Sequence, residues 1–344
     1  MERAARPRRV TIVDVAAHAQ VSTTAVSKVL RNAYGASPAM RAKVLQAVQE
    51  LGYRPHAAAR GMRGRTYTIG VMLPNISNPF FSQILEGLTG WLRQTTYQVL
   101  LGPGFNGAEA EARVIETMID HSMDGLILIA PVLTRARLDQ LAGLVPTVVV
   151  GRHGQSAPYD TVTDDDFAGA ALVVNHLADL GHRRIALIDH LEADPDCKVE
   201  MPNAVRAAGY RHAMQARGLA GCIDVAATSY SQDGGYLGAR QLLARPQRPT
   251  AIFAGADIAA MGVLQAVAEA GLSVPGDISV AGYDNTALAA LHAVSLTTVD
   301  QAGQQIGADA ARLLLDRIAD PHRPATQVKL SPALVVRRTT AAPP

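Results

Sequence analysis

The stretch TIVDVAAHAQVSTTAVSKVL, residues 11–30, predicts two short helices joined by a tight connection. Thr11 and Asp14 have the spacing of a capping box, in which a hydroxyl and a carboxylate each satisfy a backbone N–H at the start of a helix. Ser22 is a second N-cap candidate. The helix that it opens should turn one set of side chains inward, Val26, Val29 and Leu30, and leave another outside, Thr23, Thr24, Ser27 and Lys28. This pattern predicts a helix-turn-helix.

A third helix should follow, because Ser37 is a good N-cap and Pro38 stands at the first helical position, where its missing N–H costs nothing. Gly52 would end this helix, and its apolar face would comprise Val44, Leu45, Val48 and Leu51. A three-helix bundle that binds no nucleic acid would have the same core. The polar residues favour DNA binding, because a recognition helix presents its N-terminal side chains, here Thr23 and Thr24, to base edges.

The positive charge of the chain is concentrated at its N-terminus. Residues 1–66 carry twelve Lys and Arg against three Asp and Glu, a net charge of +9, whereas the remainder has a net charge of −7. A basic head on a mildly acidic body indicates that the head alone binds a polyanion. The alternative, a basic solubilising tail, does not account for the helical pattern within the head.

The rest of the composition is that of an ordinary globular protein. The 344 residues are 48% hydrophobic and 18% charged, which predicts two or three folding units with buried cores. No uncharged apolar run reaches the ~20 residues of a membrane span, and the basic start leads into no apolar segment of a secretory signal. Cys197 and Cys222 are too few for a disulfide framework, so we expect a cytoplasmic protein.

The basic head resembles the DNA-binding domain of the lactose-repressor (LacI/GalR) family of bacterial transcription regulators. The resemblance rests on the order and spacing of several segments: Asp14-Val15-Ala16, Val21-Ser22, Val26-Ser27-Lys28-Val29-Leu30, Arg41, Val44, Leu51-Gly52-Tyr53-Arg54-Pro55 and Ala59-Arg60. It implies a helix-turn-helix domain over residues 1–55 and a hinge helix or linker over residues 56–66. It also implies a set of DNA-binding residues: Thr11, Ser22, Thr23, Thr24, Ser27, Lys28, Asn32, His56, Ala59 and Met62.

The hinge is expected to fold when two chains pair on DNA. In the family, an apolar side chain at this place wedges into the minor groove and kinks the duplex. Met62 matches the wedge, where leucine is usual, and His56 stands where the family commonly has asparagine. A plain linker is the alternative, because Gly61 and Gly64 are poor helix formers.

From Thr66 onward, short β-branched runs alternate with amphipathic helical stretches, which predicts βαβ units and parallel sheets. The predicted strands are Thr68–Leu73, Val99–Leu101, Gly125–Ile129, Thr147–Val150, Arg184–Ile188, Ala251–Ala254, Ile278–Ala281 and Leu296–Val299. The predicted helices include Phe81–Gln94, Glu109–His121, Ala168–Leu180, Ala204–Gly218, Gly234–Ala244 and Ile258–Ala270. Ligands of such folds bind outside the carboxyl ends of the strands.

This body resembles the periplasmic-binding-protein-like core of the same family. The similarity rests on longer segments, residues 74–81, 181–186, 206–210, 275–285 and 296–299. It implies that the all-α head is followed by an α/β core of two doubly wound parallel-sheet subdomains, which binds the effector and dimerises over residues 67–344. One subdomain would combine 67–163 with 292–322, and the other 164–291 with 323–340. The chain would then cross between them three times, with the effector cleft in between.

The resemblance places a set of effector-binding residues in that cleft: Asn78, Phe80, Phe81, Asp165, Arg206, Tyr230, Asp257, Asp284 and Gln301. Phe80 and Phe81 either form a stacking platform for a sugar or a base, or belong to the core. Asp165 either faces the cleft or belongs to a solvated helix N-terminus. Arg206 is the strongest candidate, because its planar fork of donors suits hydroxyl pairs or carboxylates. The alternative for Arg206 and for Asp284 is a structural ion pair.

Two departures from the family pattern leave the identity of the effector open. Ala256 replaces the asparagine that usually precedes the aspartate at Asp257, which removes one polar contact. Residues 192–202, rich in acids and with two prolines, follow no family pattern, although the ligand is often recognised there. We therefore expect a sugar, a nucleoside or a related metabolite.

Signals of catalysis are weak. The stretch GPGFNG at residues 102–107 satisfies GxGxxG, but Pro103 removes an amide that would cradle a pyrophosphate. We therefore expect no cofactor, no metal and no catalytic residue. The sequence predicts a ligand-responsive transcription regulator, a repressor, that binds a near-palindromic operator in double-stranded DNA as a homodimer. The alternatives are a solute-binding protein or an enzyme on the same α/β core.

Overall fold

The computed structural model describes residues 10–30, 34–53, 65–104, 107–154, 158–191 and 200–344. The chain forms two compact units, residues 1–66 and residues 67–344. The boundary lies where the sequence changes from the basic head to the alternating body. The two units are described separately below as the head and the body.

The described part of the head contains three helices, α1 (Ile12–Ala19), α2 (Thr23–Leu30) and α3 (Pro38–Glu50). The capping box at Thr11 is confirmed, because its Oγ1 accepts from the Asp14 N–H and the Asp14 carboxylate accepts from the Thr11 N–H. Ser22 Oγ accepts from the Ala25 N–H at 3.1 Å, and Ser37 Oγ from the Met40 N–H at 3.2 Å. Each predicted cap therefore starts a helix.

The core of the head is small and aliphatic. Its buried members are Val15, Ala16, Ala19, Val26, Val29, Val44 and Ala47. Two expected placements are wrong. Leu45 is 50% exposed, and Ser27 is buried rather than on the outer face. Successive helix residues differ by about 100° around the axis, so Ser27, next to Val26, lies at the edge of the buried face.

The body contains twelve strands and nine α-helices within the residues that the structure describes. The strands are β1 (Thr68–Leu73), β2 (Gln98–Pro103), β3 (Gly125–Ile129), β4 (Thr147–Val150), β5 (Asp160–Asp164), β6 (Ile185–His190), β7 (Asp224–Thr228), β8 (Ala251–Ala254), β9 (Ser279–Ala281), β10 (Thr298–Asp300), β11 (Gln327–Leu330) and β12 (Ala333–Val335). The helices are α4 (Pro79–Leu92), α5 (Ala108–Asp120), α6 (Arg135–Ala142), α7 (Asp166–Asp179), α8 (Pro202–Ala216), α9 (Gln232–Leu243), α10 (Asp257–Glu269), α11 (Ala287–Ala290) and α12 (Gly303–Ala319).

These strands form two main parallel sheets, each with its own apolar cores. The first sheet has the order β11-β5-β4-β3-β1-β2 and the second has the order β7-β6-β8-β9, while β10 and β12 form a separate antiparallel pair. Helices cover both faces, as a parallel sheet requires. We call the first sheet with its helices the first half, and the second sheet with its helices the second half. The α/β fold class is as the sequence predicts.

The chain passes between the halves three times, as the resemblance implies. It leaves the first half after β5, returns between β10 and α12, and leaves again between β11 and β12. The first and third connections run side by side, since the Asp165 N–H donates to the Leu330 carbonyl at 3.0 Å. Two expected boundaries are therefore wrong. Residues 323–340 are divided between the halves, because β11 pairs with β5 of the first sheet whereas β12 pairs with β10. Leu296 and Val299, expected in the first half, pack in the cores of the second half.

Two glycines allow α4 and α12 to pack closely in the first half. A Cβ at Gly87 would collide with the backbone carbonyl oxygen of Gln304, and one at Gly307 would collide with the carbonyl oxygen of Ile84. Gly90, on the same helix as Gly87, has open space around it and is exposed. The backbone-to-backbone contact leaves no side chain that could move aside.

We expect Gly87→Ala to destabilise the protein by about 1–3 kcal/mol, because the added methyl group must push two helix backbones apart. Gly90→Ala is the matched control and should be neutral or stabilising by about 0.5–1 kcal/mol, since alanine is the better helix former. Urea unfolding followed by circular dichroism measures both. Equal midpoints for the two variants would contradict the close packing.

Candidate functional site

The body contains a partly open cavity of about 490 Å³ between the carboxyl ends of the two parallel sheets. From the first half it is lined by residues at the strand ends or just after them: Pro74, Asn75, Ile129, Ala130, Val150, Gly151, Thr163 and Asp164. From the second half the corresponding residues are His190, Leu191, Ser229, Tyr230, Ala256 and Asp284. This is the position at which ligands bind to open α/β sheets.

Seven of the nine predicted effector residues line the cavity: Asn78, Phe80, Phe81, Arg206, Tyr230, Asp284 and Gln301. Asn78 begins α4, and its Oδ1 accepts from the Phe80 N–H at 3.0 Å. Phe80 is almost fully buried in the core of the first half and also reaches the cavity, whereas Phe81 is half-buried. Phe80 is therefore a core residue that also reaches the cavity, and its role as a stacking platform stays a prediction.

The side chain of Arg206 is fixed by an ion pair, a hydrogen bond and two aromatic rings. Its Nε donates to Asp166 Oδ1 at 2.5 Å, and its Nη1 donates to the Gly255 carbonyl at 2.6 Å. The guanidinium carbon lies 3.9 Å from the centroid of the Tyr283 ring and 5.8 Å from that of Tyr230. Arg206 is only 5% exposed and Asp166 is 1% exposed. Arg206 is thus a buried ion-pair partner that also lines the cavity, and its contact with an effector stays a prediction.

Two carboxyl groups on the cavity wall have strongly raised pKa values. Burial, reinforced by the nearby charge of Asp166, raises the pKa of Asp164 to about 7, although the Tyr283 hydroxyl donates to its Oδ2 at 2.8 Å. Burial, reinforced by Asp257, raises the pKa of Asp284 well above its usual value. Protonated carboxyl groups donate hydrogen bonds, so the cavity wall can offer donors at both positions.

Asp284 also has an unused polar atom. Its Oδ1 accepts from Gln301 Nε2 at 2.5 Å, while its buried Oδ2 has no hydrogen-bond partner among the residues that the structure describes. A buried polar atom without a partner is costly, by about 1–3 kcal/mol.

Two predicted effector residues do not line the cavity. Asp165 begins α7, accepting from the Ala168 N–H at 3.1 Å, and its Oδ2 lies 2.6 Å from Lys329 Nζ. Asp257 is buried and accepts from the Thr298 hydroxyl at 2.6 Å and from Thr286. Asp165 is thus a helix cap, the second of its two alternatives, and Asp257 binds Thr298 of β10 and Thr286 at the start of α11, so neither lies on the cavity wall. The acid that reaches the cavity is the neighbouring Asp164.

His190, Asn203 and Ser229 line the cavity but did not stand out in the sequence. Tyr230 N–H donates to His190 Nδ1 at 3.3 Å, and the two rings lie 5.5 Å apart. Asn203 Nδ2 donates to the His190 carbonyl at 3.1 Å. Their positions in the chain could have identified them, because His190 ends β6 and Asn203 lies one helical turn before Arg206 on α8.

Ion pairs and hydrogen bonds join the two halves beside the cavity. Arg152, which follows β4, donates from Nε to Glu200 Oε2 at 2.9 Å. His153 Nε2 lies 2.6 Å from Asp166 Oδ2, and the His153 N–H donates to the Glu200 carbonyl at 2.9 Å. Asp166 therefore contacts both His153 of the first half and Arg206 of the second.

The head presents a polar surface along α2. Thr23, Thr24 and Lys28 are exposed, and Ser22 is exposed at the N-terminus of the helix. Thr11 is exposed as well, with its hydroxyl engaged in the cap of α1. Four of the predicted DNA-binding residues lie outside the described residues: Asn32, His56, Ala59 and Met62. Most of the segment 192–202 also lies outside them.

Comparison with known proteins matches one family model to the head and another to part of the body. Residues 11–56 match the model of bacterial regulatory proteins of the lacI family, and residues 174–340 match that of the periplasmic binding protein-like domain. The HTH-type transcriptional repressor PurR of Salmonella newport is 34% identical over 337 residues, which cover 96% of this chain and 97% of that protein. The chain belongs to the LacI family of bacterial regulatory proteins. Like its LacI-family relatives, it is a ligand-responsive, DNA-binding regulator of transcription.

Solved structures of LacI-family proteins agree with the fold. The Lac repressor dimer bound to operator and the anti-inducer ONPF is 27% identical, with a TM-score of 0.81, over 97% of this chain and 100% of that chain. The complex of the transcriptional regulator CelR with cellobiose is 28% identical, with a TM-score of 0.70, over 96% of this chain and 100% of that chain. Within the described ranges, no helix is long and apolar enough to cross a membrane.

The raised pKa of Asp164 predicts a pH-dependent effect of Asp164→Asn on stability. The folded protein holds the Asp164 proton more tightly than the unfolded chain, so this group's contribution to stability is present below about pH 4 and is lost as the pH rises to about 7. Asparagine does not titrate. We therefore expect Asp164→Asn to be more favourable, relative to the wild type, at pH 8 than at pH 5.

Urea unfolding midpoints of both proteins at the two pH values measure this effect. Asp120→Asn is the matched control, because Asp120 is exposed on α5 and its replacement should shift the midpoint equally at both pH values. A pH-independent difference for Asp164→Asn would show that Asp164 is ionised across this range.

Proposed function

We propose that this chain is a repressor that binds a near-palindromic operator as a homodimer and responds to a small metabolite held in the body cavity. The name of PurR and the operator-bound dimer of the Lac repressor support this proposal. The observation that carries it is the cavity between two sheets, in a chain that also has a helix-turn-helix head. Such a regulator acts in the cytoplasm, where the DNA is.

In this proposal α2 enters the major groove. Thr23 and Thr24 at its N-terminal end and Lys28 one turn later contact base edges, because side chains at these positions of a recognition helix reach the groove floor. Thr11 and Ser22 contact phosphates, which fixes the orientation of the head without reading sequence. Met62 is proposed as the minor-groove wedge, with Asn32, His56 and Ala59 as further DNA contacts. The net charge of +9 on residues 1–66 supplies affinity that falls with salt.

The effector that fits the cavity best is a small polyhydroxylated molecule with an apolar face. Phe80 and Phe81 offer aromatic surface, whereas Arg206, Asp284 and Asp164 offer donors and acceptors to hydroxyl groups. The cellobiose complex of CelR supports a sugar, and a nucleoside has the same combination of ring faces and hydroxyls. Asp165 and Asp257 are left out of the proposed site, because both are committed to contacts elsewhere.

The response follows from differential affinity. An effector between the two halves favours the arrangement of the halves that it binds better, and it shifts the protein toward that arrangement only by this difference in affinity. Asp166 touches both halves and also Arg206 of the cavity wall. Ligand contacts with Arg206 are therefore coupled directly to the contacts that join the halves.

Lys28→Ala should lower the preference of the protein for its operator over random DNA, because a base contact discriminates between sequences by about 1–3 kcal/mol. Lys43→Ala, which removes an exposed charge from α3, is the control and should weaken binding to both DNAs alike. Operator selection from a random library, followed by fluorescence anisotropy with selected and random duplexes, measures the ratio. The base-reading role fails if Lys28→Ala leaves that ratio unchanged.

Arg206→Lys should abolish the effector response but leave operator binding intact. Lysine keeps the charge opposite Asp166 but lacks the planar fork and its stacking on Tyr283. A thermal-shift screen of sugars, nucleosides and small acids identifies the effector, and gel-shift titration with the effector compares the two proteins. A normal response in Arg206→Lys would place the effector elsewhere. A wild-type protein with no preference for any duplex would refute the regulator itself.

A further inference from the structure

His190 has one ring nitrogen whose role is settled by the fold. Its Nδ1 accepts from the backbone N–H of Tyr230 at 3.3 Å, and a backbone N–H can only donate. In a neutral imidazole one nitrogen accepts and the other carries the proton. The proton therefore resides on Nε2, which makes Nε2–H a donor.

The same ring has a free edge on the cavity. His190 lines the cavity, and no residue that the structure describes forms a hydrogen bond with its Nε2. The ring cannot turn to offer Nδ1 instead without losing the Tyr230 N–H. His190 thus offers the cavity one donor of fixed direction.

Neighbouring groups fix the backbone of His190, from which the ring projects. Asp189 Oδ1 accepts from the His190 N–H at 2.8 Å and from the Tyr230 hydroxyl at 3.2 Å, so both aromatic residues are tied to one carboxyl group. Asn203 Nδ2 donates to the His190 carbonyl at 3.1 Å. Burial raises the pKa of Asp189, in keeping with its position beneath the cavity wall.

Tyr230 lies beside both His190 and Arg206. Its ring centroid lies 5.5 Å from that of His190 and 5.8 Å from the guanidinium carbon of Arg206. All three residues line the cavity. The Nε2–H donor of His190 suits an oxygen that accepts, and it is left unpaired by an alkyl group or by another donor.

We infer that His190 is a specificity-determining residue that reads an acceptor oxygen of the effector through Nε2–H. This inference rests on the proposed function, since it takes the cavity as the effector site. The acceptor oxygen belongs either to a carboxylate or to a neutral sugar hydroxyl or ring. A molecule that lacks an oxygen at this place leaves the His190 donor unsatisfied and is bound less tightly.

The matched pair His190→Asn and His190→Gln tests the inference on the full chain. The asparagine Oδ1 can replace Nδ1 as the acceptor for the Tyr230 N–H but provides no donor at the position of Nε2. Glutamine can place an N–H at that position but loses the Nδ1 acceptor. With D-ribose, cellobiose and D-glucuronate as probes in calorimetry, we expect His190→Asn to weaken binding about tenfold and His190→Gln to stay within about threefold of the wild type.

The inference is overturned if His190→Gln loses more affinity than His190→Asn, or if the two variants lose the same affinity. A residue that merely supports Tyr230 needs the Nδ1 acceptor and not the Nε2 donor. A larger loss for D-glucuronate than for the two neutral sugars assigns the oxygen to a carboxylate. Equal losses across all three probes in His190→Asn assign it to a hydroxyl or ring oxygen. Both of these results support the donor role.

A measurement on the free protein separates this inference from the proposed function. Long-range proton–nitrogen correlation spectra of histidine-labelled protein at pH 8, with His190→Asn to assign the signal, report which nitrogen carries the proton. An Nε2–H tautomer supports the inference even if none of the probes binds the wild type, a result that would count against the proposed sugar effector. An Nδ1–H tautomer overturns the inference whatever the probes do.

Discussion

The buried ion pair between Arg206 and Asp166 is the contact on which the body site depends. Two charges removed from water are stable only when their remaining donors and acceptors are also satisfied. Here Gly255 and Tyr283 complete the surroundings of Arg206, and His153 completes those of Asp166. Gly255 follows β8, Tyr283 follows β9 and His153 follows β4, so each partner comes from a different loop. The requirement to satisfy one ion pair thus fixes the position of several parts of the cavity wall.

The acids around this pair show how position decides chemistry. Asp164 and Asp166 are two residues apart, yet Asp166 serves as the counter-ion of Arg206, whereas the raised pKa of Asp164 makes it a donor below about pH 7. The nearby charge of Asp166 is part of the cause, because like charges disfavour each other's ionised form. The wall of the cavity therefore combines an arginine whose charge is balanced by Asp166 with carboxyl groups that have raised pKa values.

Much of this fold could be predicted from the sequence, and the omissions have a physical reason. Strands such as Thr147–Val150 are continuous apolar runs, which identify a sheet buried on both faces. The strand Asp160–Asp164, DTVTD, has no such apolar run. Its two terminal aspartates are buried because residues far away in the chain form hydrogen bonds with them. Asp160 pairs with Arg317, which lies 157 residues away in the chain. Likewise, the family pattern predicts an acid of this segment at the cavity. Only the fold shows that Asp164, and not Asp165, lines it.

The interleaved path of the chain through the two halves limits how they can move and how they can evolve. Where the connections lie side by side, as at Asp165 and Leu330, sliding one half past the other would break this hydrogen bond. Each half is also built from separate stretches of the sequence, so neither can be exchanged for a foreign one in a single recombination event. Substitutions within the cavity wall are then the simpler route to a new specificity.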